Sequence, residues 1–493
     1  MSLLGWMAGR EAMSRVDTAW LRMEKPTNPM MITGVLMFET PLDLTALKQL
    51  VANRFLAGYK RFRQRAVDTP SGAYWETDKD FDLDWHVRLS GLPGGADQAE
   101  LQRLVSQLAS TPLDHSKPLW QFHLVDCYAG GSALIVRLHH CYADGIALVQ
   151  VMLSLTDVSA EARSGAALHE HWLRDDGRRV TERFVAPGQD QLDRALRWGS
   201  KLLESGIEMY RDPSKAALMA REGGAIASEL AQALSLPDDP ATVLRGPLGV
   251  SKQCAWAAPF PLDEVKAVGR AFDCTVNDVL LAAAAGALRS WLIDCGEQVD
   301  GLSIRATVPV NLRPLEHAKK LGNHFGLVFL DLPIGEPNPV RRLSTVAANM
   351  QALKHSRQAI VAYGLLAALG MAPVAVQRSA LELFSRKASL VATNVPGPQM
   401  PLYLAGARIR EMMFWVPQTG GIGVGLSILS YDGAVHFGLI ADRKRVEDPD
   451  ELVRRMRPEF EKLLYIALMA DWQAPASAED AETLLSPHVE AAG

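Results

Sequence analysis

One seven-residue string constrains this chain more than any other: His139-His140-Cys141-Tyr142-Ala143-Asp144-Gly145. Ahead of it runs Ala133-Leu134-Ile135-Val136-Arg137-Leu138, an apolar run with the length of a buried strand. Behind it, Ile146-Ala147-Leu148-Val149-Gln150-Val151-Met152-Leu153 reads as the opening of a packed helix, with Gly145 at the bend. The pattern puts two histidines at the C-terminal end of a strand, where open α/β sheets gather their chemistry. A strand alternates its faces, so His139 and His140 must point opposite ways, and at most one is a working base. Asp144 is also well placed to cap the helix that follows.

The remaining pattern divides the 493 residues. Residues 1–160 interleave strand-like runs (Met31 to Phe38, Ala133 to His140) with helical ones (Leu44 to Phe55, Leu101 to Leu108). A polar stretch follows, including Arg174-Asp175-Asp176-Gly177-Arg178-Arg179, and then an amphipathic helical period from Leu192 to Leu234. Together they form a connecting segment over 161–250. A second strand-and-helix unit over 251–473 contains the helix-like Val279 to Leu292 and the strand-like Leu302 to Val308, Gly326 to Leu332 and Val435 to Ile440. The Ala- and acid-rich tail, 474–493, is expected to be disordered. A chain of this length exceeds one ordinary core, in keeping with two units.

Composition removes some classes. A net charge of −5 argues against a nucleic-acid partner. Five scattered cysteines without a Cys-x-x-Cys point to a reducing compartment, with no zinc site and no disulfide framework. The apolar run at the N-terminus is too short for a secretory signal, so a cytoplasmic protein is expected. No Gly-x-Ser-x-Gly supports a hydrolase elbow.

His-His-x-x-x-Asp-Gly, with Pro118-Leu119-Trp120 about one strand upstream, resembles the active-site signature of the bacterial wax ester synthase/diacylglycerol acyltransferases. These belong to the CoA-dependent acyltransferase superfamily, with chloramphenicol acetyltransferase and peptide-synthetase condensation domains. Similar blocks recur along the chain: Ser14 to Leu21, Pro29-Met30-Met31, Tyr74-Trp75-Glu76 and Phe81 to Val87 in the first part. Thr275-Val276-Asn277-Asp278, Pro309 to Arg313, Gly322-Asn323-His324-Phe325-Gly326, Thr393 to Pro398, Ser430 to Gly433 and Ala441-Asp442-Arg443 continue the likeness, which covers roughly residues 14–470. The resemblance implies an α/β fold of two chloramphenicol-acetyltransferase-like halves with the active site in a channel between them. It also implies an O-acyltransferase that moves a long-chain acyl group from acyl-CoA to a fatty alcohol or diacylglycerol. Acyl-CoA is then a substrate, and neither cofactor nor metal is called for.

Ester formation needs a base, because a hydroxyl is a poor nucleophile at neutral pH; a neutral imidazole supplies one. His140 matches the superfamily's catalytic histidine, counting back from Asp144-Gly145, and leaves His139 to support the strand. The tetrahedral oxyanion needs a preorganised donor, for which the amide of Asn277 is the candidate. On residue type alone, Asn277 suits better the cap of a helix beginning near Asp278. In the superfamily the aspartate of the motif turns away from the histidine and pairs with an arginine, so Asp144 is expected to be architectural, with Arg313 as its partner. Direct transfer in a ternary complex follows, with no role for Cys141.

Two rival functions stay open: a lipid-surface or storage-granule protein without turnover, and a condensation-type catalyst with carrier-bound acyl groups. The uncharged stretch Ala359 to Val376 has nearly the length of a membrane span. Gly364, Gly370 and Pro373 favour a buried helix pair broken near Gly370-Met371-Ala372-Pro373. The same stretch also suits lining an acyl tunnel or touching a lipid surface. The expected location is therefore cytoplasmic, peripheral to the inner membrane face or to lipid inclusions. Gly420-Gly421-Ile422-Gly423-Val424-Gly425 lacks dinucleotide-loop spacing and reads as a strand that a ligand approaches closely. Lys60-Arg61-Phe62-Arg63-Gln64-Arg65 suits either CoA phosphates, anionic lipid or a solvated element end. His169-Glu170-His171 sits in the polar stretch as a solvated turn, with no third metal ligand nearby.

Overall fold

A computed structural model of the chain describes residues 10–70, 72–161, 236–313, 321–354, 356–469 and 477–479. The Leu192 to Leu234 period, the His169-Glu170-His171 trio and most of the 474–493 tail lie outside the described residues.

Two sheets carry the fold. The first runs Tyr403–Leu404, Ala407–Trp415, Met31–Phe38, Gly131–His139, Trp120–Tyr128, Val87–Ser90. The second runs Phe325–Leu332, Ile304–Asn311, Leu390–Pro396, Val424–Tyr431, Ala434–Asp442, Lys252–Trp256, with Phe260–Pro261 pairing beside it. Every residue of Met31–Phe38 is buried, because this central strand is covered on both sides. One of those covers is the helix Gln98–Ser110, capped by the Asp97 side chain. Its Leu101, Val105 and Ala109 repeat at intervals of four and pack with Val35, Met37 and Ile135 of the first sheet. Trp256 and Trp415 join the same cluster. The helix also closes the edge of the second sheet: Ser110 Oγ accepts from Lys252 N at 2.8 Å and Ser106 Oγ from Cys254 N at 2.9 Å.

The division in space departs from the division in sequence at two neighbouring strands, Tyr403–Leu404 and Ala407–Trp415. The strand Ala407–Trp415, numbered within the second unit, lies in the first sheet, antiparallel to Met31–Phe38 with Met412 opposite Leu36. A register shift between Ile409 and Glu411 bends it across. Period-two patterning marks a strand but not the sheet it joins, so this exchange was not legible in sequence.

The uncharged stretch forms two helices, Gln358–Met371 and Val374–Ser385, broken at Ala372-Pro373 as expected from the proline. The first is mostly buried, and at Gly370 an added Cβ would collide with the backbone carbonyl of Arg15. Glycine there lets this helix press against the Arg15–Met23 helix. Among the described residues, one helix is long and apolar enough to cross a membrane, Val276–Asp294, and 78% of its apolar window is buried inside the protein. Its small residues, from Ala282 to Ala287, make it a core helix against which others pack.

Candidate active site

The signature occupies a strand end, as its flanks imply. Gly131–His139 is the strand and Gly145–Leu155 the helix, with the turn between them. The two histidine rings meet different surroundings. His139 is wholly buried; its Nδ1 accepts from Cys141 N at 3.1 Å, and its Nε2 lies 3.7 Å from Glu24 Oε2. Glu24 also holds His115 Nε2 at 2.6 Å. His140 N donates to Met30 O at 2.7 Å, and its ring stacks on Trp20 at 4.1 Å and leans on Phe325 at 5.5 Å. Burial lowers the His140 pKa to about 4, so the imidazole is neutral at pH 7. Its Nδ1 is sealed from solvent, which leaves Nε2 as the nitrogen able to meet a substrate.

Asp144 does not touch that ring. Its Oδ1 accepts from Ala147 N at 2.9 Å as the helix cap, and its Oδ2 takes Arg313 Nη2 at 2.8 Å and His324 N at 2.9 Å. Burial works to raise this carboxyl, but the Arg313 guanidinium and the two backbone donors outweigh it and hold it below the ordinary aspartate value. Both acid and guanidinium are buried.

Further residues hold the turn in place, and sequence reasoning assigned them no role. Asn323 Nδ2 bridges His140 O and Asp17 Oδ1, each at 2.8 Å, while Asn323 N donates to Asp17 at 3.0 Å. Gly322 N donates to Tyr142 O at 2.9 Å. Asp17 and Trp20 share the Arg15–Met23 helix, one turn apart, so that helix holds the backbone of His140 through Asn323 and stacks on its ring. Burial raises Asp17 to about 6, against the hydrogen bonds that lower it. These positions fall in the recognised sequence blocks, but no spacing links residue 17 to 140 or 323.

The alternative cap role for Asn277 is corrected by the helix start. Thr275 is the N-cap of Val276–Asp294 and Asp278 closes a capping box with it, so the cap is filled without Asn277. The Asn277 Oδ1 accepts from Asn394 Nδ2 at 2.8 Å, which turns the amide so that its N–H₂ is the free end. Asn277 and His140 line one cleft of about 1360 Å³, open to solvent, with Thr307, Asn311, Lys354 and Asn394 among its walls.

Two apolar chambers meet this cleft. One, of about 1100 Å³ counting its solvent-open space, lies between the first sheet and the Gly145–Leu155 helix and shares Gly145, Val395, Phe414 and Val416 with the cleft. The other, of about 850 Å³ counted in the same way, lies under the Gln358–Met371 and Val374–Ser385 helices and shares Trp20, Thr307, Leu327 and Thr419. The uncharged helix thus lines a cavity, one of the roles open to it.

Other candidates resolve differently. In the Lys60 to Arg65 cluster, Arg61 and Lys60 pair with Glu11, Arg65 pairs with Glu76, and Arg61 covers the Trp75 ring at 4.5 Å. These partners give the cluster a structural use. The glycines near 420 make room for the protein itself: an added Cβ would meet Ser385 at Gly420, Arg445 at Gly423 and Gln418 at Gly425. Cys141 is fully buried, and desolvation pushes its thiol well above the ordinary range, unsuited to a nucleophile.

Comparison with known proteins places the chain in a family and a fold. Residues 13–280 match the wax ester synthase/diacylglycerol acyltransferase catalytic domain, and residues 321–464 match the WS/DGAT C-terminal domain. A Mycobacterium tuberculosis protein named as a probable diacylglycerol O-acyltransferase is 30% identical over 413 residues, 83% of this chain and 84% of its own. A second from the same species, similarly named, is 30% identical over 463 residues, 91% of this chain and 97% of its own. Among solved structures, a wax ester synthase/diacylglycerol acyltransferase from Marinobacter aquaeolei VT8 covers 93% of this chain and 100% of its own, with a TM-score of 0.65 at 21% identity. The first condensation domain of the calcium-dependent antibiotic synthetase covers 96% and 98%, with a TM-score of 0.58 at 17% identity. The fold is therefore the tandem chloramphenicol-acetyltransferase-like one, and the chain belongs to the wax ester synthase/diacylglycerol acyltransferase family, an acyltransferase of lipid metabolism.

Proposed function

We propose that this acyltransferase joins a long-chain acyl group from acyl-CoA to an apolar alcohol, either a fatty alcohol or diacylglycerol, by direct transfer. The carrying observation is the pair of apolar chambers that open into one cleft beside His140 and Asn277. Two long hydrocarbon groups can be buried at once, with their polar ends together. A small polar acceptor has no need of the second chamber. In the proposed step, His140 Nε2 removes the hydroxyl proton as the oxygen bonds to the thioester carbonyl carbon. The Asn277 N–H₂ donates to the oxyanion. The carbonyl then re-forms, the C–S bond breaks, and the imidazolium returns its proton to the CoA sulfur. A base held neutral by burial is ready at the start of each turnover.

The test is purified protein with palmitoyl-CoA against a panel of long-chain alcohols, diacylglycerol and short polar alcohols, with products separated by chromatography. Wax ester or triacylglycerol should dominate; equal turnover of a short polar alcohol would defeat the reading. Asn277→Ala should lower kcat by about 10²- to 10³-fold, the usual loss for one oxyanion donor, with little change in melting temperature. A loss that tracks unfolding instead would make Asn277 structural.

Peripheral attachment to a lipid surface is part of the same proposal. Met371, Val374, Val376 and Leu383 are exposed apolar residues near the second chamber, 36–52% accessible, on the helices that roof it. Alkaline carbonate or high salt should release the protein from membranes. A requirement for detergent would contradict peripheral attachment.

A further inference from the structure

We infer that the chamber beneath the Gly145–Leu155 helix measures the acyl chain, and that Leu148, Val149 and Met152 set the length it accepts. This rests on the proposed roles of His140 and Asn277.

The first argument concerns which chamber the acyl chain enters. Val395, at the neck of the first chamber, directly follows Asn394, whose amide orients Asn277. Both residues line the cleft, so this chamber opens beside the amide that meets the thioester carbonyl and takes the alkyl chain bonded to that carbonyl. Trp20, which stacks on His140, stands instead at the neck of the second chamber, next to the base that receives the acceptor hydroxyl.

The second argument is the glycine at the neck. Gly145 has no left-handed backbone, and an added Cβ would meet only Val395 Cγ2, at 3.9 Å. Neither conformation nor packing against the rest of the protein requires glycine there, so its absent side chain keeps the neck wide.

The third argument is the helix stripe. Leu148, Val149 and Met152 follow Gly145 at intervals of three to seven, on the face turned to the chamber, and each is only half-buried although apolar. Phe55, Phe62 and Phe122 add an aromatic wall, with Phe55 stacked on Phe62 at 3.9 Å. Every methylene that fits such a space adds about fourfold to binding, and one that does not fit forfeits that gain.

The experiment measures kcat/KM for a ladder of saturated acyl-CoA donors with one fixed long-chain alcohol, then for a ladder of alcohols with one fixed donor. Val149→Phe should lower the palmitoyl-to-octanoyl ratio at least tenfold, and Met152→Ala should move the optimum toward longer donors. Neither should change the ranking of alcohols. A shift in alcohol preference without a shift in acyl preference would give the chamber to the acceptor and overturn the inference. Unchanged donor ratios in a folded Met152→Ala protein would also overturn it. Failure of the parent reading is separate, because it would appear in the wild type as no transfer to any long-chain alcohol.

Discussion

His140→Ala should lower turnover by about 10²- to 10⁴-fold, while the protein keeps its melting temperature. The ring contributes stacking on Trp20 and Phe325, its Nδ1 is buried without a hydrogen-bond partner, and Asn323 Nδ2 donates to its backbone carbonyl. His139→Ala should give the opposite profile. Its imidazole accepts from Cys141 N and stands beside Glu24 in a fully buried site. Truncation leaves the Cys141 N–H unpaired, which costs about 1–3 kcal/mol of stability. The catalytic turn then loosens, and activity falls through folding and geometry rather than through loss of a base. Turnover and thermal melts on both variants decide the matter. A stable His139→Ala protein that is dead, next to an active His140→Ala protein, would reverse the assignment of the base. Cys141→Ala should retain most activity, since the proposed transfer has no thiol step.

Arg313→Met should cost about 3–5 kcal/mol, the largest stability loss expected at the site, because it leaves the Asp144 carboxylate buried without its cation. Asp144→Ala removes the helix cap as well as the pair and should be comparably severe. The double variant should be more stable than the sum of the two losses predicts, since it abandons the buried charges together. The same pair has a pH signature. Asp144 is held below its ordinary 3.8, so its contribution to stability is present above that value and is lost as the pH falls through the lowered one. Acid melting curves of wild type and double variant should therefore converge at low pH. If the single variants melt like wild type but do not turn over, Asp144 acts on the reaction directly and the architectural role is wrong.

The sequence by itself determined the local grammar of this protein. Short, mostly apolar runs such as Met31 to Phe38 read as strands, and this one is a buried strand. Pro373 favoured a break of the uncharged stretch into two helices, and the break falls there. A histidine pair at a strand end had to place its rings on different sides. Each of these follows from backbone periodicity or from the missing proline N–H, which act over a few residues. The seven-residue signature and the blocks around it also sufficed to name the family.

Tertiary structure decided everything that joins distant residues. Only folding brings Asp17, His140 and Asn323 into one hydrogen-bonded chain across 306 positions of sequence. Only folding frees Asn277 from a capping role, because the competitor for that role, Thr275, is chosen by where the helix begins. The strand Ala407–Trp415 enters the first sheet because its neighbour there is selected by packing, not by its own pattern. The chambers are likewise a property of packing, the space left where two α/β halves and their helices fail to close on one another. Such space is set by the relative placement of whole elements, which no local spacing in the chain encodes.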